Sequence, residues 1–220
     1  MSSHPVFRPT IVSELVEFYG GILYAYEQYP NIKDHLEAIA LKHFEGVQQK
    51  VNCVFVEMNN YNPTFIGRSI EELKANSYSL LNSKNTIAYE YGFKGWQEVS
   101  LLEKQYSIVF EQAVNHLLAG DLDNLSQLVN KDVSLITQRS RYGHGATLLH
   151  YCGNNGVEFW RQQVPLNLKT IILFLLENGA NKNATMSVYG GEFDTLSLLT
   201  TSAHPINAGI LDELVEALNG

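Results

Sequence analysis

The sequence predicts an all-α protein, and three observations carry that expectation. Apolar residues recur at helical spacing along most of the chain. Capping and turn residues punctuate the stripes, and one apolar layout returns three times in the C-terminal half. Helix pairs recurring in this way cannot each bury their faces alone, so they are expected to stack into a short solenoid.

The elements follow in order. Phe44, Val47, Val51, Val54 and Met58 keep the three–four alternation of one helix face. Cys53-Val54-Phe55-Val56 by itself has strand character, but the longer periodic frame favours helix. Residues 59–63 are turn chemistry, with Pro63 disfavouring helix at the residue before it. Ser69-Ile70-Glu71-Glu72 has the spacing of a capping box. Residues 83–92 read as a helix closed by a left-handed Gly92, and Ile87, Tyr91, Phe93 and Trp96 read as core aromatics and aliphatics.

Phe110, Ala113, Val114, Leu117 and Leu118 form one stripe, stopped by Gly120. Asp121 is placed to cap the next helix, whose buried face is Leu122, Leu125, Leu128 and Val129. Leu168, Ile171, Ile172, Leu175 and Leu176 repeat that face, and Ile210, Leu211, Leu214, Val215 and Leu218 repeat it again. The expected organisation is an N-terminal helical region, 1–82, capping a repeat region, 83–220. Helix pairs are expected near 83–105, 108–131, 147–177 and 195–218.

Composition narrows the function classes. With 45% hydrophobic and 17% charged residues, the chain has the balance of a folded protein rather than a disordered one. A net charge of -8 argues against a surface that tracks phosphates, so nucleic acid is not an expected partner. Arg139, Arg141 and Arg161 lie close in sequence but read as solvated or structural arginines. Cys53 and Cys152 lack CxxC spacing and fit free buried thiols in a reducing compartment. No basic segment followed by an apolar core opens the chain, and the strongest apolar run, 170–176, is too short for a membrane span. The expected location is the cytoplasm, with no membrane partner.

The most specific stretch is Thr147-Leu148-Leu149-His150-Tyr151-Cys152, followed by Gly156 and then Leu176-Glu177-Asn178-Gly179-Ala180-Asn181. The stretch from Thr147 to Gly156 resembles an ankyrin repeat, which opens on T-P-L-H-x-A and ends its first helix on glycine. The Leu-Glu-Asn-Gly-Ala stretch resembles the end of the second helix. More narrowly, the chain resembles a group of bacterial ankyrin-repeat proteins. The likeness runs through Ala88, Glu90, Tyr91, Gly92, Phe93 and Trp96, then Gly120-Asp121 and the run 139–151. It continues through 155–158, 161–167, Thr195-Leu196 and 201–205.

Departures from the repeat are informative. Leu148 replaces the proline that starts the first helix with its φ already fixed. Thr147 and Thr195 lie 48 positions apart, against about 33 for a regular repeat. The excess falls after Gly156 and in the link 184–194. Insertions in a solenoid collect on one face, often the binding face.

The resemblance implies a short, irregular ankyrin-type solenoid acting as a non-catalytic scaffold. It would bind an unidentified protein partner through the concave face and the inserted loops. Arg141, Tyr142, His144, Trp160, Arg161, Tyr189 and Phe193 are the expected contacts, with Trp160-Arg161 having the composition of a binding hot spot. Thr147, His150, Gly156 and Gly179 are expected to hold the motif, His150 by bridging backbone groups of adjacent loops. The alternative is a small enzyme or a metal or ligand binder using His144, His150 and His204. His144-x5-His150 matches no strong metal-ligand spacing, so no metal, cofactor or catalytic residue is assigned. Asp121, Asp123, Asp132 and Glu158 show no apolar pocket to shift a carboxyl, and acid–base work is not expected of them. Gly143-His144-Gly145 and Gly190-Gly191 read as turn glycines rather than a phosphate cradle.

Overall fold

A computed structural model describes residues 4–220. The chain is mostly helical and divides into two compact units. One is Thr10–Tyr106; the other is Ser107–Gly220 together with the residues that precede Thr10. The division falls at Tyr106 rather than at the expected 82/83. The helix pair expected near 83–105 stays with the first unit because its main helix packs on helices earlier in the chain.

In the first unit, α1 (Thr10–Tyr19), α2 (Ile32–Gln48), α3 (Asn52–Tyr61) and α5 (Leu80–Glu90) are the principal helices, with short α4 (Ile70–Lys74) and α6 (Trp96–Ser100). α5 packs on α2 and α3, and α1 packs on α3. Leu15, Leu36, Ile39, Val54, Met58 and Ile87 are fully or almost fully buried between them. The stripe from Phe44 to Met58 is therefore two helices and not one. The chain turns at Lys50, whose φ is +58°, and Val51 N–H closes back onto Gly46 C=O at 2.9 Å. The turn keeps the apolar phase, so periodicity alone does not see it. A Cβ on Gly46 would lie 2.6 Å from Val54 and 2.7 Å from Phe18, so glycine permits this close packing. The box at Ser69 is present in both directions: Glu72 N–H donates to Ser69 Oγ at 3.2 Å, and Ser69 N–H donates to the Glu72 carboxylate at 3.0 Å.

The second unit contains α7 (Ile108–Leu118), α8 (Leu122–Lys131), α9 (Leu148–Tyr151), α10 (Leu168–Glu177), α11 (Thr195–Thr201), α12 (Ala203–Asn207) and α13 (Leu211–Asn219). α7 packs on α8 and α9, α9 on α10 and α11, and α13 on α10 and α11. One continuous core joins them through Phe110, Leu117, Leu125, Leu149, Ile171, Leu175, Leu198 and Leu214. Asp121 caps α8, accepting from Asn124 N–H at 3.2 Å.

Two features depart from the expected pattern. α9 stops after four residues instead of running to Gly156, because Asn154 and Gly156 both adopt left-handed φ, +51° and +72°. Gly156 has little choice, since a Cβ there would press on Val188 at 3.0 Å and Leu198 at 3.1 Å. The second departure is strand. β1 (Val6–Phe7) pairs antiparallel with β2 (Val164–Pro165), and the expected loop 184–194 is a hairpin of β3 (Thr185–Val188) and β4 (Gly191–Asp194). Met186 and Val188 point into the core while Thr185 and Ser187 face out, the alternation of a half-buried strand.

Candidate interaction surface

The Thr147–His150 corner sets the geometry of the hairpin. Thr147 N–H donates to His150 Nδ1 at 3.1 Å, with Thr147 Oγ1 2.8 Å from the same nitrogen. Because Nδ1 accepts, the ring proton sits on Nε2, which donates to Ala184 C=O at 2.9 Å. The imidazole thus ties the start of α9 to the residue that opens β3. Burial pulls the His150 pKa down to about 4, so the ring is neutral in this role at neutral pH.

Further bonds lace loop 139–146 to the same hairpin. Arg139 Nη1 donates to Gly145 C=O at 2.7 Å and to Thr185 C=O at 2.8 Å. Ser187 N–H donates to His144 C=O at 3.0 Å, and Ala146 N–H donates to His144 Nδ1 at 3.0 Å. Tyr189 occupies the hairpin tip with φ of +53°, an uncommon conformation for a bulky side chain. It is 56% exposed, its hydroxyl donates to Asn155 Oδ1 at 2.8 Å, and its ring meets Phe193 edge to face. Arg139 and Arg141 are exposed nearby in sequence, and Phe193 is half-buried.

The inserted segment does something different from what its composition suggests. Residues Phe159–Arg161 form a 3-10 turn whose side chains point inward. Arg161 is fully buried, with Nη2 2.7 Å from Glu111 Oε2 and Nη1 2.8 Å from Glu158 Oε1. Its guanidinium lies over the Trp160 ring at 4.6 Å and the Tyr151 ring at 5.6 Å. His144 Nε2 stands 3.7 Å from Glu158 Oε2. Burial pulls the Glu158 carboxyl upward, but the Arg161 charge and His144 override it and hold the pKa at about 2. Glu111 is raised above the ordinary range, by burial first and by Glu158 beside it, with Arg161 opposing.

Four of the expected partner contacts are therefore corrected. Tyr142, His144, Trp160 and Arg161 are all buried, at 4%, 1%, 4% and 0% exposure, and cannot meet a partner from where they stand. A buried guanidinium needs buried carboxylates, and these draw the turn inward over α7 instead of leaving it at the surface. Glu158 is likewise corrected: it has no apolar pocket, but it is fully buried beside Arg161 and His144, which shift its carboxyl. Arg141, Tyr189 and Phe193 keep surface positions.

The three histidines of the metal alternative are bonded to separate partners: His150 and His144 as above, and His204 Nε2 to Gln162 Oε1 at 3.2 Å. Among the described residues, no group of three or more His, Cys, Asp or Glu side chains has metal-holding geometry. Both cysteines are free and buried, and no described helix is long and apolar enough to cross a membrane.

Sequence reasoning missed Glu111 and Asn115 as partners of Arg161, the latter at 3.4 Å from Nη2. One signal was available, since Glu111 sits beside Phe110 in a helix whose buried stripe leaves little room for a charge. It also missed Arg139, whose bonds run 46 residues along the chain. Compared with protein-family models, curated proteins and solved structures, the chain gives no match in any of the three.

Proposed function

We propose that the second unit is a short, irregular ankyrin-type array and that it acts as a non-catalytic scaffold for a partner protein. The binding face on this reading is the β3–β4 hairpin with the adjoining loop 139–146, and the contacts are Arg139, Arg141, Tyr189 and Phe193. One observation carries it: an aromatic side chain is kept exposed at the tip of a hairpin that is bonded to its neighbours at both ends. Exposed aromatics on a rigid support are the residues that dominate protein interfaces, because little side-chain entropy is lost on contact. Two free buried thiols fit a cytoplasmic setting for the complex.

The test is affinity capture from the source cell with wild type and with Tyr189→Ser/Phe193→Ser. A protein retained by wild type and by Leu173→Ser, but lost with the double variant, is the expected result. An identical set of captured proteins for all three would remove the basis for the hairpin face. His150→Ala supplies a second check, because loosening the clamp should lower the melting temperature and weaken capture together. Its lost hydrogen bonds are expected to cost about 1–3 kcal/mol of stability.

A further inference from the structure

The hairpin that carries the proposed binding face is held at its root by one imidazole. Both ring nitrogens of His150 are engaged in a way that suits only the neutral ring. Nδ1 accepts from Thr147 N–H at 3.1 Å, and Nε2–H donates to Ala184 C=O at 2.9 Å. A second proton, on Nδ1, would set N–H against N–H. It could turn to Thr147 Oγ1, 2.8 Å away, but Thr147 N–H would then lose its acceptor at the start of α9. His150 is fully buried, so a charged ring there would also be cut off from water.

The charged and titratable groups that act on the ring come from two sides. Loop 139–146 brings Arg139 and His144, and β4 brings Glu192 and Asp194. The Arg139 guanidinium opposes a proton on the ring, and it is fixed in place by Gly145 C=O and Thr185 C=O at 2.7 and 2.8 Å. Both carboxylates have other work: Asp194 caps α11 by accepting from Ser197 N–H at 2.8 Å, and Glu192 accepts from Ser187 Oγ. His144 Nδ1 is itself an acceptor, for Ala146 N–H at 3.0 Å.

We propose that His150 is an acid-released latch: a proton taken up by its ring frees the β3–β4 hairpin from α9 and loop 139–146. The proton comes from solvent and adds to Nδ1, and the bond from Thr147 N–H is lost. Undocking then parts Ala184 C=O from the ring and Ser187 N–H from His144 C=O, and it uncovers Met186 and Val188. Release of a partner at low pH rests on the proposed binding face; the undocking does not.

The sign follows from the two states of the ring. Burial moves the seated imidazole from 6.5 down to about 4, while an undocked one titrates at its ordinary value. The latch's contribution is therefore present in full above about 6.5 and is lost as pH falls toward about 4. Glu192 is held below its ordinary 4.5 by the Ser187 hydroxyl, so its own loss falls below that pH.

Hydrogen exchange of the full chain, read by mass spectrometry on peptides from the hairpin and loop 139–146 and corrected for intrinsic rates, reports undocking without any partner. Between pH 7.5 and 4.5 the wild-type opening constant should rise about 70-fold, while His150→Gln, which cannot titrate, should stay within about threefold. A level wild-type curve overturns the latch. So does a rise that survives in His150→Gln and disappears in His144→Gln, since the proton would then belong to the other ring. Should His150→Gln not fold, nitrogen chemical shifts of the wild-type imidazole decide. At pH 5.5 a neutral ring protonated at Nε2 is expected, and a charged ring overturns the proposal. Affinity capture at pH 7.5 and 5 reads the binding face separately: exchange that rises while the captured proteins stay the same supports the latch and removes the binding face.

Discussion

Both units bury a histidine beside a glutamate at nearly the same distance, 3.8 Å from His43 to Glu57 and 3.7 Å from His144 to Glu158. The two glutamates nonetheless move in opposite directions, Glu57 up to about 7 and Glu158 down to about 2. Burial acts on both alike. What differs is Arg161, which brings a fixed positive charge to Glu158 and has no counterpart beside Glu57 among the described residues. Beside Glu57, burial neutralises His43, so that imidazole brings no charge to oppose the upward pull. One unit therefore keeps a hydrogen-bonded centre in which Glu57 faces a neutral His43, and the other keeps an ionic one whose members depend on each other.

Removing the cation is the most direct way to break that contrast. Arg161→Met leaves Glu111 and Glu158 buried without a partner charge and is expected to cost about 3–5 kcal/mol in urea denaturation. A loss below about 1 kcal/mol would show that the ion pairs do not support the second unit. The next effect is an acid titration. The Glu158 pKa is depressed from 4.5 to about 2 in the folded state, so its stabilisation is present above about 4.5 and lost as pH falls through about 2. Wild type should exceed Glu158→Gln by roughly 3 kcal/mol at pH 6, with the gap closing toward pH 2. A gap independent of pH would mean that shape, not charge, makes Glu158 matter.

In the centre of the first unit, Ser83→Ala removes the bond to His43 Nδ1 and is expected to cost about 1–2 kcal/mol. Thermal unfolding at pH 7.5 measures it, and no change would argue that Ser83 is a packing residue alone. The smallest effect falls on the surface. Tyr189→Gly relieves the left-handed backbone while losing the bond to Asn155, so stability should stay within about 1 kcal/mol of wild type even as partner capture is lost. A large loss of stability there would recast Tyr189 as part of the fold rather than of the binding face.

The helices of the second unit were largely legible because their signals are local. Gly120 ends one helix with a left-handed φ and Asp121 caps the next through Asn124, three residues on, and the stripes of α8, α10 and α13 repeat one layout. The break between α2 and α3 was not legible, since Lys50 turns the chain without disturbing the apolar phase. The hairpin was not legible either, because its pairing depends on Gly190 and on bonds to Arg139 and His150 from a different part of the chain. Trp160-Arg161 was the most misleading stretch. Its composition is that of a hot spot, yet nothing near it in sequence reveals Glu111, which lies 50 residues away.

The sequence by itself determined that this chain is mostly helical and where the principal helices of its second half lie. Caps, periodicity and turn glycines act over a few residues and carry that information locally. Only the tertiary structure decided which polar residues are inside. Arg161 is core and Tyr189 is surface because a buried charge is tolerable only where distant carboxylates meet it, and no local pattern records that meeting.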